Sequence, residues 1–465
     1  MQPWKQKVIS FLLTMMLIIS GMTFPAISKA DATTFMHTIP VVMITADEND
    51  LWNETTGLLA EGPNIDKSQL PFKNAAYREN GRQERPGHIQ LIMPDGTVMI
   101  DQDMTIQLYS LYMGFEVDLP QKPFEIHALP GEVFSGKLFD QSEQTSFTGL
   151  VLSNSGSDSV DTNLRDVYIS ALLDVFYPTI LHQHFRPVAV YLNGAYWGMY
   201  ALGEAMDANW LSYYTGIDPE DATMLRDREY LEYGQSSERQ DYHTVMDYIK
   251  HHPASASAEN LAYLMEHVDV DTCLEFMAVM MFLGNSDPGT NRIVNSGDGR
   301  WRLVWQGNDY CMYQSSFDSV KSYTKVKGLG QKGIDNTIFR ELLKIDEYRE
   351  LFFNKLGKAY QFFTTDRMIQ ILDPIVQSVQ GEMMLHYVRW CHEDIQVFTY
   401  GSFKDDAYGG YQWWLTRIER LHNTCRRRPA FMWSYIQEGF SLSDEEMVTY
   451  FGKVPASWQD IIADK

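Results

Sequence analysis

The sequence predicts an α+β protein, and three observations carry that expectation. From Thr34 to Leu202 the apolar residues fall in short, mostly alternating runs, the period-2 pattern of half-buried strands. Beyond Asp207 they recur at helical spacing in one segment after another. The change of period follows directly on a hairpin. Val188, Val190 and Leu192 alternate with smaller or polar residues, Asn193-Gly194 supplies the two positive-φ positions of a type I′ turn, and Tyr196 to Leu202 forms the return strand. Strands first and helices afterwards is an α+β arrangement rather than a series of βαβ units.

Taken in order, Pro40–Ile44, His88–Met93, Thr105–Tyr109 and Phe124–His127 read as strands. A Ser/Gly/Asp-rich loop, Asn154–Thr162, opens a helix over Asn163–Phe176. After the hairpin, Gly203-Glu204 begins a connector. Asp207 is placed to cap a helix whose Trp210, Leu211 and Tyr214 share a face, and Gly216 is placed to end it. The acidic run Asp218–Asp221 and the polar stretch Arg226–Gln240 read as a solvated loop. Helical periodicity then covers Tyr242–His251, Glu259–His267, Asp271–Phe282, Thr337–Leu343, Glu347–Phe362, Arg367–Val388, Tyr411–Arg426 and Ala430–Gly439.

At 465 residues and 45% hydrophobic composition, the chain is long enough for a sizeable core in one two-lobed unit or two domains. Met1–Ala30 reads as a secretory signal peptide: Lys5 and Lys7 precede an apolar run from Val8 to Ile19, and Ser28-Lys29-Ala30 supplies a small-residue cleavage site. An uncleaved anchor is the alternative. Those residues hold three basic and no acidic side chains, so the remainder, with 35 basic against 61 acidic residues, carries −26. Such a charge repels phosphate polymers and anionic membranes, which argues against both as partners; solubility outside the cell is its plain reading, and a preference for basic substrate segments is the sharper alternative. Cys273, Cys311, Cys391 and Cys425 show no zinc-ligand spacing; export permits disulfides in any of three pairings, and buried free thiols are the other outcome.

Several segments, in order, resemble the spore coat protein H (CotH) kinase family. They begin at Ile39 (IPVVMITADENDLWNETTG), Arg82 (RQERPGHIQLIMPDG), Leu119 (LPQKPFEIHA), Leu150 (LVLSNSGSDSVDTNLRD), Arg186 (RPVAVYLNGAYWGMYALGEAMDANW), Val268 (VDVDTCLEFMAVMMFLGNSD), Gly299 (GRWRLVW) and Arg427 (RRPAFMWSYIQEGFSL). The resemblance implies a protein-kinase-like two-lobe fold: signal peptide 1–30, β-rich N-terminal lobe 31–205, helical C-terminal lobe 206–445 and C-terminal tail 446–465. It also implies ATP and Mg²⁺ as cofactors, with the γ-phosphoryl group passed to Ser or Thr of secreted or surface proteins. The other reading is a catalytically degenerate member that serves as a surface structural or interaction protein. A carbohydrate-binding scaffold is weaker, since the Trp and Tyr residues are spread along the chain.

Phosphoryl transfer needs a cation over the phosphates, a divalent metal on oxygen ligands and a carboxylate for the accepting hydroxyl. By the resemblance, Lys122 faces the phosphates, Asp166 of Arg165-Asp166 is its acidic partner, and Glu204 lies beside the adenine as a structural or adenine-proximal group. Asp287, before Pro288-Gly289, is the catalytic base, and Asn291 with Asp309 holds the metal. Two departures stand out. The Trp that follows the family's Asp is missing here, and Gly307 occupies the first acidic position of its Asp-x-Asp, leaving Asp309. His182 and His184 show no third ligand in sequence and read as core or surface residues. Gly328–Gly333 fits GxGxxG without the strand that motif requires, and reads as a loop. Arg426–Arg428 reads as a cationic helix cap.

Overall fold

In the computed structural model, residues 37–68, 71–109, 117–226, 230–288, 291–295, 297–325, 336–390, 407–453, 455 and 461 are described. The leader segment, the GxGxxG segment and Cys391 fall outside them. The fold is mixed α+β, as the apolar periodicity predicts.

The first half is organised around seven strands: β1 (Val41–Ala46), β2 (Arg85–Ile92), β3 (Val98–Leu108), β4 (Phe124–Ala128), β7 (Gly149–Ser153), β8 (Phe185–Leu192) and β9 (Ala195–Glu204), with the short pair β5 (Phe134–Ser135) and β6 (Ser146–Phe147) beside them. They close into a barrel in the order β1-β2-β3-β4-β7-β9-β8. Successive pairs are antiparallel, and β1 meets β8 in parallel, Val41 opposite Ala189. Alternation decides the faces. Val42 and Ile44, Phe124 and Ile126, Leu150 and Leu152, and Val188 and Val190 point into one apolar core. The hairpin turn has Asn193 at φ 48° and Gly194 at φ 79°, as a type I′ turn requires. Asn193 also clamps β1, its amide oxygen accepting from Ala46 N and its amide nitrogen donating to Ala46 O.

Val41, Ala189 and Met199 face the other way. They pack on two long helices, Thr365–Trp390 and Ala407–Phe440, through Val379, Met383, Tyr387, Trp414 and Ile418. The helix Val270–Leu283 forms the centre of the second half. Its residues Phe276–Leu283 are all buried, as a helix apolar on every side must be. Asp269 caps its start and Gly284, at φ 62°, ends it. Among the described residues no helix is long and apolar enough to cross a membrane.

Three expectations are corrected. Arg226–Gln240 is not a loop: β11 (Tyr230–Tyr233) and the start of the helix Ser236–His251 lie within it. With β10 (Thr223–Arg226), β12 (Arg292–Asn295) and β13 (Trp301–Val304), β11 forms a four-stranded sheet in the helical half, order β11-β10-β12-β13. Tyr411–Arg426 and Ala430–Gly439 are one helix that runs through Pro429. Proline lacks the N–H that would bond Cys425 O, and the Thr365 hydroxyl donates to that carbonyl at 3.2 Å instead. The stretch read as a tail holds most of a helix, Asp444–Phe451, opened by a Ser443/Glu446 capping box and buried through Met447 and Phe451. Cys273, Cys311 and Cys425 are buried free thiols.

Candidate functional site

The Ser/Gly/Asp loop after β7 is held by one buried carboxylate. Asp158 accepts from the backbone N–H groups of Thr162, Leu164 and Arg165 and from the Thr162 hydroxyl, and is ion-paired with the Arg165 guanidinium. Arg165 reaches Asp161 at 2.8 Å and donates through Nε to Cys311 O at 3.0 Å. It is therefore no surface residue, and its reach to Cys311 brings the loop against the segment that carries Asp309. Sequence reasoning missed this hub. Its only signal is two Asp residues in a Ser/Gly loop just ahead of an Arg.

Three of the expected residues converge here. Asp166, one place beyond Arg165, accepts from the Ser153 hydroxyl at 2.7 Å and from the side chain of Asn308. Burial pushes its carboxyl up to about 6. Asp309 accepts from Ser157 N at 3.3 Å. Burial first, then the charges of Asp166 and Asp287, push Asp309 up to about 7. Gly156, at φ 50°, lets the loop come this close: a Cβ there would stand 3.4 Å from Asp309 Oδ2. Asp287 is exposed at the rim. Its N–H donates to Asn285 Oδ1, and Asn285 donates in turn to Gly307 O, so the Asp287 turn is tied to the Asp309 strand-end.

The remaining residues are engaged elsewhere. Asn291 turns its oxygen to Gln306 N at 3.0 Å and its nitrogen to Pro288 O, bracing the Asp287 turn. Asn308 is in the site, accepting from Trp305 Nε1 and donating to Asp166, and as an amide it brings no charge in place of the carboxylate that Gly307 lacks. Gly307 has φ 77°, a conformation that suits Gly far better than Asp. Lys122 is buried, but not against Asp166. Its Nζ donates to Val117 O at 2.7 Å and Leu119 O at 3.3 Å and stands 3.8 Å from the centre of the Tyr77 ring. Burial lowers its pKa to about 7. Glu204 closes β9 and is buried, accepting from His184, Trp210 Nε1 and Tyr214 OH.

His182 and His184 do have a third partner, Asp174, from the last turn of the helix Arg165–Phe176. Sequence reasoning passed over it because it lies one turn and one loop upstream. On that helix Asp174 lies two turns beyond Asp166, about 12 Å along the axis, and Gln183 lies between the two histidines in sequence.

Chemically, the acidic site joins two carboxyls that resist ionising together to a third at the solvent edge. That donor set suits a hard divalent cation on oxygen ligands and an accepting hydroxyl beside Asp287. No curated protein matches the chain. The profile of the family described as CotH kinase protein matches residues 114–432, well over half of the chain, and that span takes in Lys122, Asp166, Glu204, Asp287, Asn291 and Asp309. The acidic site thus lies wholly within a sequence match of that length, and the chain belongs to the CotH kinase family.

Proposed function

We propose that the chain is an exported protein kinase that passes the γ-phosphoryl group of ATP to Ser or Thr hydroxyls of secreted or surface proteins. In this reading the barrel and the helical half act as two lobes on either side of the nucleotide. One observation carries it: Asp166 and Asp309, from different halves, meet in one buried acidic site, where burial raises their carboxyls to about 6 and about 7, beside an exposed Asp287. Asp309 and Asp166 would hold Mg²⁺, in place of the expected Asn291–Asp309 pair. Bound there, the metal would supply charge neutralisation on the phosphate oxygens. Asp287 accepts the proton of the attacking hydroxyl, and the loop Ser155–Ser157 keeps the acidic pair in place.

Calorimetric titration of the purified protein with Mg·ATP, with Asp309→Ala alongside, tests this. Binding that requires Mg²⁺ and vanishes in the variant is the expected result.

A non-catalytic surface or assembly protein is the second reading, and two specific observations favour it. Lys122 is committed to the carbonyls of Val117 and Leu119, and Gly307 brings no carboxylate. Absence of binding at millimolar nucleotide would leave this reading and sink the kinase.

A further inference from the structure

Past Phe176 the chain turns back, and Leu181–His184 runs beside the end of β13: Trp305 N donates to Leu181 O at 2.8 Å, and His182 forms a parallel bridge to Trp305. That return brings Asp174, His182 and His184 together, with one ligand atom of each within 4.8 Å of the others. Nε2 of His182 is 2.8 Å and Nε2 of His184 is 3.2 Å from the same oxygen, Asp174 Oδ1. Side-chain exposures of 4% for His182, 10% for His184 and 6% for Asp174 keep all three away from bulk water.

The second nitrogen of each ring is already held. His182 Nδ1 lies 2.7 Å from Ile180 O, and His184 Nδ1 lies 2.8 Å from Glu204 Oε2. Oxygens without a hydrogen can only accept, so each Nδ1 carries the proton. Each Nε2 faces the same carboxylate oxygen of Asp174, so a divalent cation among the three atoms would take the place of the protons that otherwise bridge the rings to it. A carbonyl or carboxylate behind a histidine's far nitrogen is also the usual outer partner of a metal-bound imidazole.

We infer that Asp174, His182 and His184 form a binding site for a divalent transition metal of the Zn²⁺ type, with Ile180 O and Glu204 fixing the two rings. Two imidazoles and one carboxylate favour such an ion over Mg²⁺ or Ca²⁺, which take oxygen ligands. Its role is structural. Gln183, between the two histidines, donates to Glu204 O and accepts from Gln306 Nε2. A metal at this point would pin the return segment to the strand-end that leads into Gly307-Asn308-Asp309.

The test uses the full chain, stripped with a chelator and titrated with ZnCl₂ in millimolar Mg²⁺. One equivalent of Zn²⁺ is expected to bind, with a dissociation constant under ~1 µM and a rise in Tm of about 5 °C. Co²⁺ in its place is expected to give visible absorption bands of an imidazole-carboxylate site. Asp174→Asn and His184→Gln lose the equivalent, whereas Asp309→Asn retains it, which separates this site from the acidic one. Wild-type protein that binds no more Zn²⁺ than Asp174→Asn, or shows no Co²⁺ bands, overturns the inference and leaves two rings hydrogen-bonded to Asp174, with His184 also held by Glu204. The Co²⁺ spectrum needs only the wild-type chain, so a variant that fails to fold does not shelter the proposal.

Discussion

The carboxyl of Asp309 is held near 7 and that of Asp166 near 6, both far above the value either has in an unfolded chain. The sign follows from linkage. A carboxyl whose folded pKa is raised costs nothing below its unfolded pKa, and takes stability away as pH climbs from about 4 to about 7. Asp309→Asn is therefore expected to stabilise the metal-free protein at pH 8 by roughly 1–3 kcal/mol and to leave it nearly unchanged at pH 4. Scanning calorimetry at both values decides, and a lower Tm at pH 8 would sink the argument. Arg165 is the opposite case: its guanidinium answers Asp158 and Asp161 and the carbonyl of Cys311, all out of water. Arg165→Met should cost about 3–5 kcal/mol by urea unfolding, because it leaves buried carboxylates unpaired. Asp166, Asp287 and Asp309 could be singled out as candidates through resemblance, since each sits in a local motif. The partner of Lys122 was not, because Tyr77 and the carbonyls that hold its ammonium are set by how the chain folds back, which no spacing encodes.

At the scale of elements, long helices with a steady 3.6 period were read to within a few residues. The four strands of the sheet β11-β10-β12-β13 were missed because each spans four residues, too short for alternation to register. Pro429 misled for a different reason: the cost of a proline inside a helix was cancelled by a hydroxyl far away in sequence, Thr365. Arg428, expected as a cap, does cap a helix, but not its own. It donates to Met281 O and Phe282 O at the end of Val270–Leu283 and to Ser315 O and Phe317 O beyond it. Four carbonyls accept from one buried side chain, so Arg428→Met should lower stability by about 3–5 kcal/mol. Arg428→Lys should recover little, because an ammonium lacks the fork that reaches them all. The urea midpoints of the two variants check this, and near-equal midpoints for Arg428→Lys and wild type would refute it.

For the whole molecule, the sequence announced a β-rich half and an α-rich half, and they hold separate cores, one inside the barrel and one around Val270–Leu283. The closure of the barrel was not announced, since strand pairing between distant segments leaves no local mark. Residues 31–465 carry −26, a field that draws basic segments toward the surface and is screened by salt over about 8 Å at physiological ionic strength. If the chain phosphorylates proteins, KM for an Arg/Lys-rich Ser peptide should rise several-fold between about 50 and 300 mM NaCl, and an acidic peptide should be a poor substrate throughout. A salt-independent KM would remove steering from the account. The parallel contact of β1 with β8 has one further consequence. During synthesis β1 emerges early, yet the strand that completes its hydrogen bonding arrives only with Ala189 and its neighbours. Until then its edge and apolar face stay open, so the growing chain has a long interval in which chaperones, or misassembly, compete for its first strand.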